Sequence, residues 1–534
     1  MKGYRFFIPL IIVATLIMGL WAGFYLSNTL STRNIEFIIP SSSSNKLSRI
    51  INYIDENYVD TVAKDRLIDK AIEQILSELD PHSYYISKED FKSINEPLEG
   101  NFEGIGIEFV IEKDTLHVVH TIAGGPSEKA GLIPGDQIIA VDGDTIAGIG
   151  LRNSDVVKLL RGEKGSEVEV LLKRPGKKNF SAKIIRDEIP IKSVDVALNI
   201  NDTAAYMKLT RFAKTTHDEF REAMDTLLKN NKNLKHLVLD LRNNGGGYLG
   251  AAISICDDLL PKDKLIVYTK GKSKRDSKKY HSKNEGIYKD INLSVLINEF
   301  SASASEIVAG AIQDHDRGTI VGRRSFGKGL VQEQLSLSDA SALRLTVARY
   351  YTPTGRCIQK PYGKEIAYDQ DYYDRVASGE LFYRDSIKVA DSLMYLTPKG
   401  KKVYGGGGII PDLFVPLDTT GKSDILSSFL YVGNMNAAGF NYANNNREQL
   451  KTLGLDSFLA SFKMPDTVLN SLLKDISTDK KRYNQLSTAQ KKEIQDRFRS
   501  IVARHIWSNQ GFYSSGLESD VMLQVLGFYQ PTLL

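Results

Sequence analysis

Leu293-Ser294-Val295-Leu296-Ile297-Asn298-Glu299-Phe300-Ser301-Ala302-Ser303-Ala304-Ser305-Glu306-Ile307-Val308 is the stretch on which the architecture turns. Residues 293–298 are apolar enough for a buried strand, and the small and apolar residues of 304–313 suit a helix packed on a sheet. A short polar turn separates them. The same unit occurs upstream, where residues 237–240 run into a glycine turn and a helical stretch at 250–260. Further strands are expected at 319–322 and 343–350. Repeated strand–turn–helix units build an α/β core, here placed at residues 191–416. Within it, residues 363–404 are polar and read as an insertion.

Towards the N-terminus the pattern changes. Residues 99–190 hold short alternating stretches and glycine turns, with Val168, Val170 and Leu172 spaced as on a half-buried strand and 154–160 suited to a short helix. Residues 46–98 place Leu47, Ile50, Ile51 and Ile54 at helical spacing, and the helical run stops at Asp80-Pro81. Residues 27–45 form a polar linker. Residues 1–26 are a cytoplasmic stub, with Lys2 and Arg5, and an uncharged apolar run from 6 to 26, long enough for one membrane helix. No small-residue cleavage pattern follows, so the run reads as a signal anchor with its basic end in the cytoplasm and the remaining chain on the extracytoplasmic side. Residues 417–534 read as a helical C-terminal extension.

The chain has 534 residues, too many for one core, and a net charge of +4 from 69 basic and 65 acidic residues. So balanced a charge gives no reason to expect nucleic acid as a partner. Cys256 and Cys357 lack metal-ligand spacing, so neither a zinc site nor a disulfide scaffold is expected, and a single bridge between them stays open. No metal or cofactor is expected.

Four motifs carry chemistry. Ser303 sits at a strand-to-helix turn, where the backbone N–H of Ala304 is available to stabilise an oxyanion. The same Ser303-x-x-Glu306 spacing is also a capping box, which needs no catalysis. Ser325-Phe326-Gly327-Lys328-Gly329 offers a lysine, and a buried lysine loses its charge and becomes a base. Gln332, four residues on, shares a face with Lys328 and is placed to orient it. Asp240-Leu241-Arg242-Asn243-Asn244-Gly245-Gly246-Gly247 follows a strand, and its glycine N–H groups supply a second oxyanion donor. Glu103-Gly104-Ile105-Gly106-Ile107-Glu108-Phe109, with Gly131-Leu132-Ile133-Pro134-Gly135-Asp136 downstream, resembles a PDZ domain. The Gly104–Gly106 turn would meet a peptide's terminal carboxylate, the next strand would pair with the peptide, and Ile105, Ile107 and Val157 are the candidate pocket.

Together these blocks resemble the C-terminal processing peptidases, or tail-specific proteases. The likeness also includes Leu79-Asp80-Pro81-His82-Ser83, Tyr351-Thr352-Pro353-Thr354-Gly355-Arg356 and Gly408-Ile409-Ile410-Pro411-Asp412. It implies a multi-domain α/β chain: membrane helix, small helical module, PDZ domain, Ser-Lys protease core and helical extension. It implies Ser303 as nucleophile, Lys328 as base and Gln332 as its orienter. The oxyanion hole falls on Ala304 with Gly246 or Gly247. Substrates would be extracytoplasmic proteins with free apolar C-termini; a homo-oligomer is left open. Ser301→Ala and Ser305→Ala are expected to retain activity. The competing readings are a catalytically silent PDZ scaffold and a Ser-His-Asp protease using His315. Gly322 to Lys328 also fits the start of a phosphate-binding loop, but Gly329 stands where a magnesium ligand is needed.

Overall fold

The computed structural model describes Met18 and residues 46–363 and 366–530. The expected anchor at 6–26 (Met18 apart) and the linker at 27–45 lie outside the described residues. No helix among the described residues is long and apolar enough to cross a membrane.

The chain divides into two compact units, one ending at Ile75 and one beginning at Leu76. In the first, the helix Lys46–Asn57 buries Ile51 and leaves Ile50 and Tyr53 exposed. The second unit holds everything else that matters for function. It opens with a turn in which Asp80 accepts the N–H groups of His82 and Ser83. A short strand, Tyr84–Ile86, follows. The helix Lys88–Glu99 is capped by Ser87 at its start and by Gly100 at its end.

The PDZ region is a sheet of antiparallel strands in the order Ile107–Glu112, Thr115–Thr121, Gln137–Val141, Glu167–Lys173, Phe180–Ile185. Val168, Val170 and Leu172 are at most 1% exposed, so the period-two pattern marks the core face. The strands Asn101–Gly104 and Asp187–Pro190 pair where the chain enters and leaves this region, fastening its base. Ile107–Glu112 stands at one edge of the sheet.

The α/β core is built on a sheet ordered Val194–Asn199, Ala204–Leu209, His236–Asp240, Asn292–Ile297, Thr319–Gly322, Leu413–Phe414. The first pair is antiparallel and the others parallel. The helices Thr216–Asn230, Leu249–Leu259 and Ala304–Asp314 contribute to the main hydrophobic cluster with those strands. Three neighbouring parallel strands, ending at Asp240, Ile297 and Gly322, release the three loops singled out in sequence. In open parallel sheets the carboxyl ends of the strands are where sites form. A second sheet is organised around the long strand Ala342–Tyr351, which pairs with Tyr84–Ile86, Leu265–Gly271 and Leu330–Ser336.

Residues 363–404, expected as a polar insertion, are mostly exposed, but part of the segment turns inward. Arg375, 3% exposed, donates to the carbonyls of Arg324, Ser325 and Phe326, and Arg324 pairs with Glu380 at 2.6 Å. The segment therefore braces the loop before Lys328 from behind.

The C-terminal region, from Asp424–Val432 to Val521–Val525, is helical and has its own core around Phe429, Phe458 and Phe498. It touches two neighbours. Arg504 pairs with Glu108 of the PDZ edge strand and its carbonyl meets His120, while Phe440 stacks edge-on against His117 and His505. On the protease side, Tyr513 donates to Asp195, and Asp520 pairs with Arg242 at 2.6 Å. Cys256 and Cys357 are both free.

Candidate active site

Ser303 begins the helix Ala304–Asp314 with φ of 56° and ψ of −114°, a conformation that costs a side-chain-bearing residue about 1–3 kcal/mol. The surroundings hold it there. The Glu306 carboxylate accepts the Ser303 N–H at 2.8 Å, while the Glu306 N–H and the Tyr350 hydroxyl both donate to the Ser303 carbonyl. The Ser303 side chain makes no cap hydrogen bond. Half of the expected capping box is present, and the hydroxyl remains in the cleft.

The two flanking serines are structural. Ser301 Oγ donates to the Leu241 carbonyl and Ser305 Oγ to the Asn244 carbonyl, both at 2.9 Å and both residues fully buried. They stitch the Ser303 loop to the Arg-Asn-Asn-Gly loop. Each removal is expected to cost about 1 kcal/mol of stability rather than the chemistry.

The glycine loop lies against Ser303. A Cβ on Gly246, whose φ is +96°, would stand 2.7 Å from the Ala302 carbonyl oxygen and 2.8 Å from Ser303 Cβ, so only glycine allows this approach. The Gly246 N–H is taken by Asn244 Oδ1 at 2.9 Å. The N–H groups of Gly247 and Ala304 have no hydrogen-bond partner among the described residues. Of the two glycines left open by the sequence, Gly247 keeps the available donor.

Lys328 arrives from the third strand. The buried Glu306 carboxylate also accepts the N–H groups of Gly327 and Lys328 and the Ser325 hydroxyl. One side chain thus ties the serine loop to the lysine loop. Burial pushes the Glu306 carboxyl up, against the pull of those hydrogen bonds. Gly329 is required because a Cβ there would meet the Gln359 backbone nitrogen at 2.8 Å. The N–H groups of residues 323 and 325–328 all have acceptors inside the protein, so this loop is no phosphate cradle.

Burial lowers the Lys328 pKa below its ordinary 10.5, and the nearby Arg344 guanidinium lowers it further, opposed by Glu306 and Asp80. Its ammonium nitrogen makes no hydrogen bond or ion pair among the described residues. Ser303, Lys328, Gln332 and Gly245–Gly247 line one cleft of about 570 Å³, with Phe91, Leu98 and Arg344 on its other walls. No hydrogen bond joins Ser303 Oγ to Lys328, and none joins Lys328 to Gln332. Instead Gln332 Nε2 donates to Thr346 Oγ1 at 3.3 Å, and Thr346 Oγ1 donates to Asp80 at 3.0 Å. A register shift at Val331/Gln332 sets Gln332 opposite Thr346.

Sequence reasoning missed Glu306 as more than a cap, and missed Asp80, Thr346 and Arg344. Asp80 had been read as a helix stop. No histidine lines the cleft; His315 Nε2 meets the Leu265 carbonyl at 2.7 Å. In the PDZ region, the N–H groups of Ile105 and Gly106 are without partners among the described residues. The Ile105 side chain is only 2% exposed and belongs to the domain core rather than to an open pocket. Ile107 is half-buried, and Val157 is 38% exposed on the helix Asn153–Leu160.

Residues 203–371 match the model of peptidase family S41, residues 118–174 that of the PDZ domain, and residues 426–508 a family of unknown function, DUF8443. The carboxy-terminal-processing protease of Bartonella bacilliformis is 39% identical over 313 residues, covering 58% of this chain and 71% of the relative. The carboxy-terminal processing protease CtpB of Bacillus subtilis is 35% identical over 348 residues, covering 64% of this chain and 71% of the relative. A solved photosystem II D1 C-terminal processing protease aligns with 70% of this chain and 94% of its own at 27% identity and a TM-score of 0.36. The matched regions contain the middle of the PDZ sheet and all three loops around Ser303, and the chain belongs to the carboxy-terminal processing proteases of peptidase family S41, serine proteases that here carry a PDZ domain.

Proposed function

We propose that the protein is a serine endopeptidase in which Ser303 attacks the scissile carbonyl and neutral Lys328 takes the hydroxyl proton. The attack transfers the Ser303 oxygen to the carbonyl carbon and places negative charge on the carbonyl oxygen. The N–H groups of Ala304 and Gly247 receive that charge. The leaving amine then takes the proton back from Lys328, and water repeats the sequence to release the acyl group. Gln332 orients the lysine through its amide oxygen. The observation that carries this reading is the strained, uncapped Ser303 facing the same cleft as a lysine depressed by burial. The dyad is open in this structure, so substrate must draw the two side chains together; such bonds commonly tighten only in the complex.

In this reading the PDZ region recruits the free, apolar C-terminus of a protein through the Ile105 and Gly106 N–H groups, with the peptide pairing on the edge strand Ile107–Glu112. The apolar run at residues 6–26 anchors the chain in the cytoplasmic membrane with the catalytic part outside the cytoplasm, whether as single chains or as a homo-oligomer. The test is cleavage of matched peptides with free and amidated C-termini by the purified chain and by its Lys328→Ala form. Cleavage of the free peptide that disappears in Lys328→Ala and slows on amidation supports both halves. An active Lys328→Ala enzyme removes the dyad, and equal cleavage of the two peptides removes the tail-reading role.

A further inference from the structure

The Asp80–Thr346–Gln332 chain has a direction. A hydroxyl holds one proton. Asp80, a carboxylate, also accepts from His82 N–H, Ser83 N–H and, at 2.6 Å, the Ser83 hydroxyl, so its oxygens act as acceptors throughout. The Thr346 proton therefore goes to Asp80, and Thr346 Oγ1 is left only as an acceptor. Its partner must be the NH₂ end of the Gln332 amide, as found. The amide oxygen is then turned the other way, free of hydrogen bonds among the described residues, on a side chain that lines the cleft with Lys328. An amide flip would set its oxygen against the Thr346 oxygen, with no proton between them.

We infer that Asp80 and Thr346 are positioning residues which fix the sense of the Gln332 amide, so that a carbonyl oxygen rather than an NH₂ group is offered to Lys328. The inference rests on the reading of Gln332 as the orienter of Lys328. It gives Asp80-Pro81-His82-Ser83 a task beyond ending a helix. Asp80 is held by the turn that starts the strand Tyr84–Ile86, and that strand pairs with the strand carrying Thr346. The Ser83 hydroxyl also accepts the Thr346 N–H at 3.0 Å, which fixes Thr346 by its backbone as well. Asp80 thus reaches the lysine through two side chains, without touching substrate.

The experiment is a double-mutant cycle on the full chain. Thr346→Val keeps the shape of the side chain and removes the acceptor. Expected is a fall in kcat of about 10- to 100-fold with KM and the melting temperature little changed, and Thr346→Ser restores most of the rate. In a Gln332→Ala background, itself slowed, Thr346→Val should cost less than about threefold, because the amide it orients is gone. Full activity of Thr346→Val, failure of Thr346→Ser to rescue, or equal losses in both backgrounds overturns the inference while leaving Gln332 in place. A fully active Gln332→Ala enzyme instead overturns the reading of Gln332, and the inference falls with it.

Discussion

Two seams hold this enzyme together, and they are made differently. The seam between the serine and lysine loops is closed by one buried carboxylate, Glu306, which receives three backbone N–H groups and a hydroxyl. The seam between the PDZ region and the C-terminal helices is closed mainly by side chains: the half-exposed Arg504–Glu108 pair, the Asn441–Glu112 contact, His117 and His505 edge-on to Phe440, and His120 against the Arg504 carbonyl. Backbone donors around a buried acceptor allow one geometry. Side-chain contacts at a partly wet surface can be remade or titrated away. The first seam serves chemistry that tolerates little displacement; the second joins parts whose relative position is set by weaker forces.

The contrast breaks first if the cleft is not the site. Ser303→Ala should lower cleavage by about 10⁴-fold or more while leaving tail binding to the PDZ region unchanged, read by peptide hydrolysis and calorimetry. Cleavage should climb with pH as Lys328 loses its proton, with a midpoint below 10.5, and Lys328→Arg should be inactive because guanidinium keeps its charge. An active Lys328→Arg form would separate the lysine from the chemistry. Glu306→Gln comes next. Its amide NH₂ would face donors that now point at a carboxylate, so a loss of about 2–4 kcal/mol in stability and about 100-fold in rate is expected from melting and kinetics. A variant that melts normally would show that the catalytic seam is as replaceable as the other.

At the outer seam the effects are smaller and depend on pH. Burial holds His505 down to about 4 and lowers His117 and His120 as well; Glu108, Glu112, Lys113, Arg447 and Arg504 are the charges around them. A folded pKa below the unfolded value means that the unfolded seam binds more protons. Its stability is full above about pH 6.5 and falls as the pH drops towards 4. The protection of the Thr115–Thr121 amides, with exchange rates corrected for the intrinsic pH dependence, should therefore fall between pH 7 and pH 5, and His505→Gln should flatten that response. Arg504→Ala should change stability by less than about 1 kcal/mol, since the pair is exposed.

The fold was legible wherever burial and periodicity coincide. The strands ending at Asp240 and Ile297 carry the apolar runs Leu237–Leu239 and Val295–Ile297, and the PDZ strand Glu167–Lys173 alternates in burial. Ser303 and Lys328 were legible because each sits in a short block whose glycines and small residues have a local meaning. Asp80 was not, because it meets Thr346 across 266 residues of chain, and Thr346 was not, because a register shift in the hairpin decides that it faces Gln332. The inward turn of Arg375 within residues 363–404 was hidden for the same kind of reason: its three carbonyl acceptors come from another loop. Ile105 was misassigned because a glycine turn fixes the backbone and says little about which way the side chain between the glycines is turned.

The Arg242–Asp520 pair has a consequence for how the protein is made. Arg242 belongs to the loop that presents Gly247 to the cleft, and its partner lies 278 residues further along the chain. During synthesis the glycine loop emerges long before Asp520 exists, so a nascent chain holds Arg242 against Asp240 alone. The Arg242–Asp520 contact beside the glycine loop closes only after the C-terminal helices have been translated and have docked. Completion of the contacts around the glycine loop is thereby coupled to translation and docking of a segment 278 residues downstream.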